Sequence, residues 1–285
     1  MTATFGTIYV IFKKLICCIA AIMLSVVAAD EKDMMSPEGA EVIAKNTYVL
    51  NDYHMSSQGV TNDGEYFYFS GNKNLGKADM ETGEIFRITT NAIPEELQEK
   101  GCNHIGGLSY YNGYVYAAIE DGPDYLNSFI ALYDAETLKF TGTYYELPHE
   151  LHLEGVPWCA VDVERNYLYT AEWTKAKVLN VFSLDDMSLV KTVPLSEPID
   201  RIQGAEMFDG KLYMSCDEEN DLKRILSLDV ETGKVEYVFT RNVGKVFEAE
   251  GMTVYADENG EPVFCVLDRG EKRVSTNLTQ YKLAD

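Results

Sequence analysis

The strongest constraint on the fold is a unit that recurs five times along the chain. Each unit opens on a small residue, and counting between these residues gives steps of 48, 53, 44 and 47 residues. The opening residues are Gly59, Gly107, Ala160, Gly204 and Gly251. A steady period in this range is typical of repeat architectures, in which each unit buries its apolar face against its neighbours.

Each unit has the pattern of four short strands separated by turns. The small residue lies on the first strand, which leads into a hairpin signal such as Asp63-Gly64. An aromatic strand follows, as at residues 66–68, and a third strand ends in a second turn, as at residues 79–83. A fourth strand completes the unit, as at residues 235–240. Four antiparallel strands in a repeat of this length predict one blade of a β-propeller.

The last unit is incomplete, and the missing strand has a candidate at the other end of the chain. The fifth unit stops at Asp285, where its fourth strand should begin, whereas residues 46–51 precede the first unit and have a strand-like pattern. Pairing this segment beside Tyr281 would close the ring and remove exposed sheet edges. The sequence therefore predicts an all-β fold over residues 46–285: a single five-bladed β-propeller of four-stranded antiparallel blades, with its ring closed by an N-terminal strand pairing in the last blade.

The N-terminus has the features of a secretory signal peptide over residues 1–29. Lys13 and Lys14 precede an apolar run at 15–29 that ends in small residues before Asp30. The run is short for a bilayer span, so we expect cleavage and no stable membrane span afterwards, with an uncleaved anchor as the alternative. Residues 30–45 are then a flexible lead-in, and the protein is exported to the periplasm, the cell surface or the medium.

The charge of the chain limits its partners. The formal net charge is −22, and loss of the leader lysines makes the mature chain more negative. Nucleic acid and anionic membranes are therefore excluded as partners, whereas cations and metals are compatible with the charge. The alternative is that the charge serves only solubility. We expect a monomer with a small-molecule or peptide ligand.

Candidate site residues gather at one end of the predicted ring. Strands alternate in direction, so the segments before the first strands and the loops after the second strands share one face, here called the upper face. All the histidines of the chain lie in these segments. The candidate ligand-binding residues are Gln58, His104, Glu154, Trp158, Trp173, Arg201, Gln203, Glu250, Asp268 and Arg269. Rigid scaffolds commonly carry binding residues in such loops, although polar loops are also simply solvated.

Two metals are compatible with the side chains of the upper face. Glu154 and Glu250, together with Gln58 and Gln203, offer the oxygen ligands that a calcium ion takes. The alternative is zinc, for which the soft ligands are Cys102, His104, His152 and Cys159, although they lack a standard zinc spacing.

Four cysteines follow the leader. Export permits disulfides, and Cys102 and Cys159 approach the first strands of adjacent predicted blades, so this pair is the candidate disulfide. Cys216 and Cys265 lie on second strands and are interpreted as small buried hydrophobic residues.

The repeat resembles the broad superfamily of β-propellers that includes YVTN-type repeats, gluconolactonase-like propellers and the plant and bacterial type of glutaminyl cyclase. Gln58-Gly59 and the turns at 79–83 and 229–233 carry the likeness, which extends over residues 46–285. The resemblance implies a propeller fold, and for gluconolactonase-like propellers a calcium ion at the channel mouth, whose position would match Glu250.

Three functions are compatible with these observations. The first is an exported propeller that binds a small polar, sugar or peptide ligand at the channel mouth of the upper face. The second is an enzyme, a hydrolase, lyase or glutaminyl cyclase-like protein, with His104 or Glu250 as general base or metal ligand. The third is a scaffold for protein interactions. Whether the candidate side chains converge on one cavity distinguishes the first two from the third.

Overall fold

The structure, a computed structural model, describes residues 37–49, 57–218, 222–243, 247–270 and 275–284. The described residues form five four-stranded antiparallel sheets, and each inner strand contacts the inner strands of the neighbouring sheets. The predicted five-bladed β-propeller is therefore confirmed. A single turn of helix, α1 (Glu95–Gln98), lies between the first two blades. Within these ranges, no helix is long and apolar enough to cross a membrane.

The strands follow the repeat blade by blade, from the inside outwards. Blade 1 contains β2 (Val60–Asn62), β3 (Tyr66–Gly71), β4 (Asn74–Asp79) and β5 (Ile85–Thr89). Blade 2 contains β6 (His104–Tyr111), β7 (Tyr114–Glu120), β8 (Ser128–Asp134) and β9 (Phe140–Glu146). Blade 3 contains β10 (Ala160–Asp162), β11 (Tyr167–Thr170), β12 (Ala176–Ser183) and β13 (Leu189–Ile199). Blade 4 contains β14 (Ile202–Phe208), β15 (Lys211–Glu218), β16 (Leu222–Leu228) and β17 (Val235–Thr240). Blade 5 contains β18 (Phe247–Ala256), β19 (Pro262–Gly270), β20 (Ser275–Leu283) and, outermost, β1 (Ala40–Val49).

The ring closes through the N-terminal strand, as predicted. Strand β1 pairs antiparallel with β20, with Ala40 opposite Leu283 and Val49 opposite Ser275. The strand begins at Ala40 rather than at residue 46, so its first part occupies residues that were assigned to the lead-in. Glu38 extends the contact by exchanging two backbone hydrogen bonds with Thr240 of blade 4, at 2.8 and 3.0 Å. The N-terminal segment therefore ties the outer strands of blades 4 and 5 together.

The hydrophobic core is divided into five clusters, one at each interface between neighbouring blades. Between blades 2 and 3, for example, Ala118 and Ile130 pack against Leu168 and Phe182. The other clusters join blades 1 and 2, 3 and 4, 4 and 5, and 5 and 1. This arrangement explains the sequence period, because no single blade can bury its own faces without two neighbours.

Glycine is required where the inner strands converge. A Cβ atom on Gly251 would lie 2.6 Å from the carbonyl oxygen of Gln58 and 2.7 Å from the Cα of Gly59. A Cβ atom on Gly204 would in turn lie 2.7 Å from the Cα of Gly251. These distances are too short for real side chains, so backbones meet directly across the blades near the axis.

The cysteines correct one prediction. Cys102, Cys159, Cys216 and Cys265 are all free and buried. Cys102 packs in the cluster between blades 1 and 2, whereas Cys159 packs in the cluster between blades 2 and 3. The two thiols therefore face opposite sides of blade 2, and the predicted pair is wrong. Cys216 and Cys265 are buried among apolar side chains, as interpreted from the sequence.

Candidate functional site

Side chains from all five blades line one cavity at the upper face, with a volume of about 160 Å³. We call it the upper cavity. Its lining residues are Gln58, His104, Glu120, Tyr125, Glu154, Pro157, Trp173, Gln203, Glu248, Glu250 and Arg269. Seven of the ten residues singled out from the sequence are among them, so the expected convergence is present for most of the set.

The approach to each inner strand decides which side chains reach the cavity. We number positions backwards from the small residue that opens each unit. Position one, directly before it, is occupied by Gln58, Gln203 and Glu250 in three blades. Position three is occupied by His104, Pro157 and Glu248. All six line the upper cavity. Successive residues of an extended chain point to opposite sides, so positions one and three share a side while position two is turned into the protein.

His104 is held from both ring nitrogens. Its Nδ1 lies 2.9 Å from Glu120 Oε1, and its Nε2 lies 2.7 Å from Gln58 Oε1. Glu120 is buried, and its second oxygen accepts a hydrogen bond of 2.6 Å from the backbone N–H of Val156. Carboxylate and amide oxygens only accept hydrogen bonds, so Nδ1 donates to Glu120. Nε2 accepts from the NH2 group of Gln58 when that amide is turned over, and otherwise carries a second proton. The two contacts together fix the orientation of the ring.

The backbone at Gly155 packs tightly against the pair of His104 and Glu120. Gly155 has φ of +80°, and a Cβ atom there would lie 2.1 Å from Glu120 Oε2 and 2.7 Å from the ring of Tyr125. Glycine is needed both for the left-handed conformation and for the close approach of the carboxylate. Gly155 therefore positions Glu120 and, through it, His104.

A second charged group lies on the blade 5 side of the cavity. The guanidinium of Arg269 contacts Glu248 through Nη2 and lies 3.2 Å from Glu250 Oε1 through Nε. Glu248 is partly exposed, whereas Glu250 is only 4% exposed. Burial holds the pKa of Glu250 well above its usual range, and the positive charge of Arg269 offsets only part of this shift. Nearby Glu248, Asp217 and Asp268 raise the pKa further.

The blade 3 side of the cavity combines one carboxylate with two aromatic rings. Glu154 Oε2 accepts a hydrogen bond of 2.8 Å from the backbone N–H of Thr174, next to Trp173. Tyr125 lines the cavity together with Glu120 and Glu154. Burial, and then the negative charges of these two carboxylates, raise the pKa of its phenol. Flat aromatic faces and carboxylates therefore share one small space.

Three candidate residues lie outside the cavity lining. Trp158 is fully buried in the cluster between blades 3 and 4, because it occupies position two of its repeat. The same position is apolar and buried in other blades, at Ile105, Ile202 and Ala249. Asp268 pairs with Ala249 across the sheet and faces the same way, so it is also fully buried.

Asp268 and Arg201 have partners of their own. Asp268 Oδ1 accepts a 2.6 Å hydrogen bond from Arg241, whose side chain is also fully buried. Arg201 packs its guanidinium over the ring of Trp173, 5.4 Å from the centroid, and reaches Asp217 at 3.4 Å. Arg201 therefore supports a wall of the cavity from outside.

The residues proposed for metals separate into different environments. His152 is buried, and its Nε2 forms a hydrogen bond of 2.8 Å with Thr170 Oγ1. Burial lowers the pKa of this imidazole. In the part of the chain that the structure describes, no group of three or more His, Cys, Asp or Glu residues is arranged to hold a metal ion. At Glu250, the guanidinium of Arg269 already supplies a fixed cation, which opposes a calcium ion at this carboxylate.

Four lining residues were not among the sequence candidates: Glu120, Tyr125, Pro157 and Glu248. Pro157 and Glu248 occupy position three, which the alternation places on the same side as position one. Position three does not suffice alone, because Arg201 occupies it in blade 4 and packs on Trp173 instead. Glu120 faces His104 across the first hairpin of blade 2. Tyr125 carries no repeat signal, because it lies in the β7–β8 loop with φ of +50°.

The opposite end of the channel has its own cavity, of about 280 Å³, which we call the lower cavity. Its lining includes Asn62, Tyr110, Asp162, Glu206 and Val254. Glu206 is 8% exposed and accepts hydrogen bonds of 2.9 Å from Thr61 and Thr253. Burial raises the pKa of Glu206 to about 7, although these hydroxyl groups pull it down.

Comparisons with known proteins give no family for the chain. Neither a protein-family model nor a curated protein matches it in sequence. A search of solved structures finds hydrazine synthase of Kuenenia stuttgartiensis, with 12% identity and a TM-score of 0.44, covering 74% of this chain and 55% of that one. The chain thus spans about half the length of that protein. It also finds the RRP9 WD40 repeats, with 10% identity, a TM-score of 0.45 and 84% of each chain covered. A chain of the mitotic checkpoint complex has 8% identity and a TM-score of 0.43, with 88% of this chain and 98% of that one covered.

Proposed function

We propose that the protein is a binding propeller whose upper cavity takes one small polar ligand. The observation that supports this function is the convergence of polar and aromatic side chains from all five blades on a single concave space. Ligand sites commonly combine a few placed polar groups with apolar walls in such a position. The cavity is small, at about 160 Å³, so the ligand that we propose is a single amino acid, a monosaccharide or a molecule of similar size.

The test is a binding assay on purified protein by saturation-transfer NMR, using a panel of monosaccharides, amino acids and dipeptides. We expect at least one compound to bind, and Trp173→Ala to weaken it at least tenfold by removing an aromatic wall. The matched control is Phe86→Ala, which removes an exposed ring on the outer strand of blade 1 and should leave binding unchanged. A ligand whose binding survives Trp173→Ala, or a panel without any binder, would contradict the proposal.

A second candidate function is an enzyme that uses His104 as general base. The observation that favours it is the buried Glu120 at 2.9 Å from Nδ1, because a carboxylate that orients an imidazole is typical of general bases. The bound compound would then be converted to a product, which NMR follows over time. If the protein is an enzyme, His104→Asn should abolish turnover and retain binding. If it is a binding protein, no product forms with the unaltered protein or with the variant.

We also propose that the protein acts outside the cytoplasm. The support is the leader pattern at residues 1–29, which lies outside the described residues. Mass spectrometry of the intact protein from its native cells tests this directly. A mature N-terminus near Asp30 is expected, and a chain that retains Met1 and remains in the cytoplasm would refute it.

A further inference from the structure

The charges of the upper cavity are unbalanced. Four carboxylates line it, from Glu120, Glu154, Glu248 and Glu250, against one guanidinium, from Arg269. The partners of Glu120 and Glu154 include backbone N–H groups, which carry no net charge, and Arg269 is shared between the other two carboxylates. Even with His104 protonated, negative charge exceeds positive charge. An anionic ligand would therefore be repelled.

Glu250 gives this imbalance a specific position. The residue is 4% exposed and lines the cavity, yet its Oε1 has no hydrogen-bond partner. Arg269 Nε lies 3.2 Å away but is not aligned to donate to it. A buried carboxylate oxygen without a donor costs free energy that a bound donor recovers. Glu250 Oε1 can therefore accept a hydrogen bond from a ligand in the cavity, and a positively charged donor forms the strongest one.

The aromatic walls favour the same kind of ligand. Trp173 already carries one cation on its ring, the guanidinium of Arg201 at 5.4 Å. Tyr125 presents a second ring beside Glu120 and Glu154. Aromatic faces attract cations through their quadrupole, and the attraction is stronger where water is excluded. Carboxylates and rings in one small space are a combination suited to an organic cation.

We propose that the ligand of the upper cavity carries an ammonium group that donates to Glu250. This inference rests on the proposed function and specifies its ligand class. The ammonium group supplies three N–H donors and a positive charge in a compact volume, so it meets the unpartnered oxygen and the excess of carboxylates together. Binding should also favour the ionised form of Glu250, whose pKa is raised by burial, because a neighbouring cation stabilises the charged form, and should therefore release protons.

The experiment compares ligands that differ only by an ammonium group in place of a hydroxyl group. The probes are glucosamine with glucose, alaninamide with lactamide, and phenylethylamine with phenylethanol, each titrated against the purified protein by NMR. We expect the ammonium member of at least one pair to bind at least tenfold more tightly than its hydroxyl partner. Its affinity should fall at least tenfold in Glu250→Gln and remain unchanged in Glu258→Gln, which alters an exposed carboxylate of the lower turn of blade 5.

The outcomes separate this inference from the proposed function. If the hydroxyl members bind as tightly as the ammonium members, the inference is overturned and the binding function stands. If no member of any pair binds, the proposed function is overturned together with it. Calorimetry in two buffers of different ionisation enthalpy provides an independent readout in the unaltered protein. Ammonium binding without proton release, or binding that Glu250→Gln does not weaken, would overturn the role assigned to Glu250.

Discussion

The upper and lower cavities are built from the same five inner strands, but they treat their buried carboxylates differently. Glu206 in the lower cavity accepts hydrogen bonds from Thr61 of blade 1 and Thr253 of blade 5, with Ser109 of blade 2 at 3.5 Å. Ser109 in turn accepts from the backbone N–H of Val161 in blade 3. This carboxylate therefore links inner strands around the whole ring.

Glu250 in the upper cavity has the opposite arrangement. Its Oε1 has no hydrogen-bond donor, and the only charged group that contacts it among the described residues is Arg269. The lower carboxylate thus joins the blades, whereas the upper one has an oxygen without a donor, which under our proposal binds the ligand. Stability measurements on matched variants test this difference.

The largest loss of unfolding free energy is expected for Asp268→Ala. Compared with Glu248→Ala, it distinguishes a buried acid that stabilises the fold from an acid that lines the upper cavity. The change leaves Arg241 fully buried without its ion-pair partner, and breaking such a pair costs about 3–5 kcal/mol. Urea unfolding measures the loss. Glu248→Ala, which removes a partly exposed carboxylate, is the control and should cost under about 1 kcal/mol. Similar losses in both variants would show that Asp268 has no special structural role.

The next effect is a pH dependence of stability that originates in the lower cavity. The pKa of Glu206 is raised from 4.5 to about 7, so its contribution to stability is fully present below pH 4.5 and is lost as the pH rises through 7. A shift of this size corresponds to about 3 kcal/mol. Unfolding free energies measured between pH 4.5 and 8 should show a shallower decline in Glu206→Gln. The raised pKa of Glu250 also makes stability fall as the pH rises. The same measurements on Glu250→Gln separate its contribution from that of Glu206.

A smaller loss is expected for Thr253→Val, which removes one donor from the lower network. The change deprives Glu206 of a 2.9 Å hydrogen bond and Asn62 of an acceptor at 2.6 Å, so about 1–3 kcal/mol should be lost. Thermal unfolding at neutral pH measures it, and the affinity of the upper cavity for its ligand should not change. An unchanged midpoint would mean that Glu206 does not hold the blades together.

The smallest effect is expected for Glu250→Gln without ligand. The substitution removes a buried carboxylate that lacks a donor on Oε1 and leaves Arg269 its contact with Glu248, so the unfolding midpoint should remain within about 1 kcal/mol or rise. Calorimetric unfolding of the ligand-free variant gives the answer. A loss as large as that of Thr253→Val would erase the distinction between the two ends of the channel.

Much of the fold follows from the sequence because the propeller is periodic. Asp79, Asp134 and Asp229 begin the second turns predicted from the repeat, and each accepts a hydrogen bond from the backbone of the threonine three residues later. The closing strand was predicted from an incomplete last repeat. Its start at Ala40 is not predicted, because residues 40–45 precede the segment that matches the missing fourth strand of the repeat.

The candidate site was predictable where it follows the alternation of the inner strands. Gln58, Gln203 and Glu250 share position one, and all three line the upper cavity. Trp158 and Asp268, which the sequence analysis selects by size and charge, are fully buried and lie outside the cavity lining. Their positions in the alternation place them in the core, and the burial of Ile105 and Ile202 at the same position as Trp158 supports that reading.

The sequence by itself determined the number of blades, the strand order and the face on which polar residues gather, because these depend on local turns and on a regular period. Only the tertiary structure decided which acids are paired. Glu250 Oε1 lacks a donor while Glu206 has three hydroxyl partners from other blades, and both belong to the same kind of inner strand. Hydrogen bonds across the axis join residues far apart in the chain, so no local pattern encodes them.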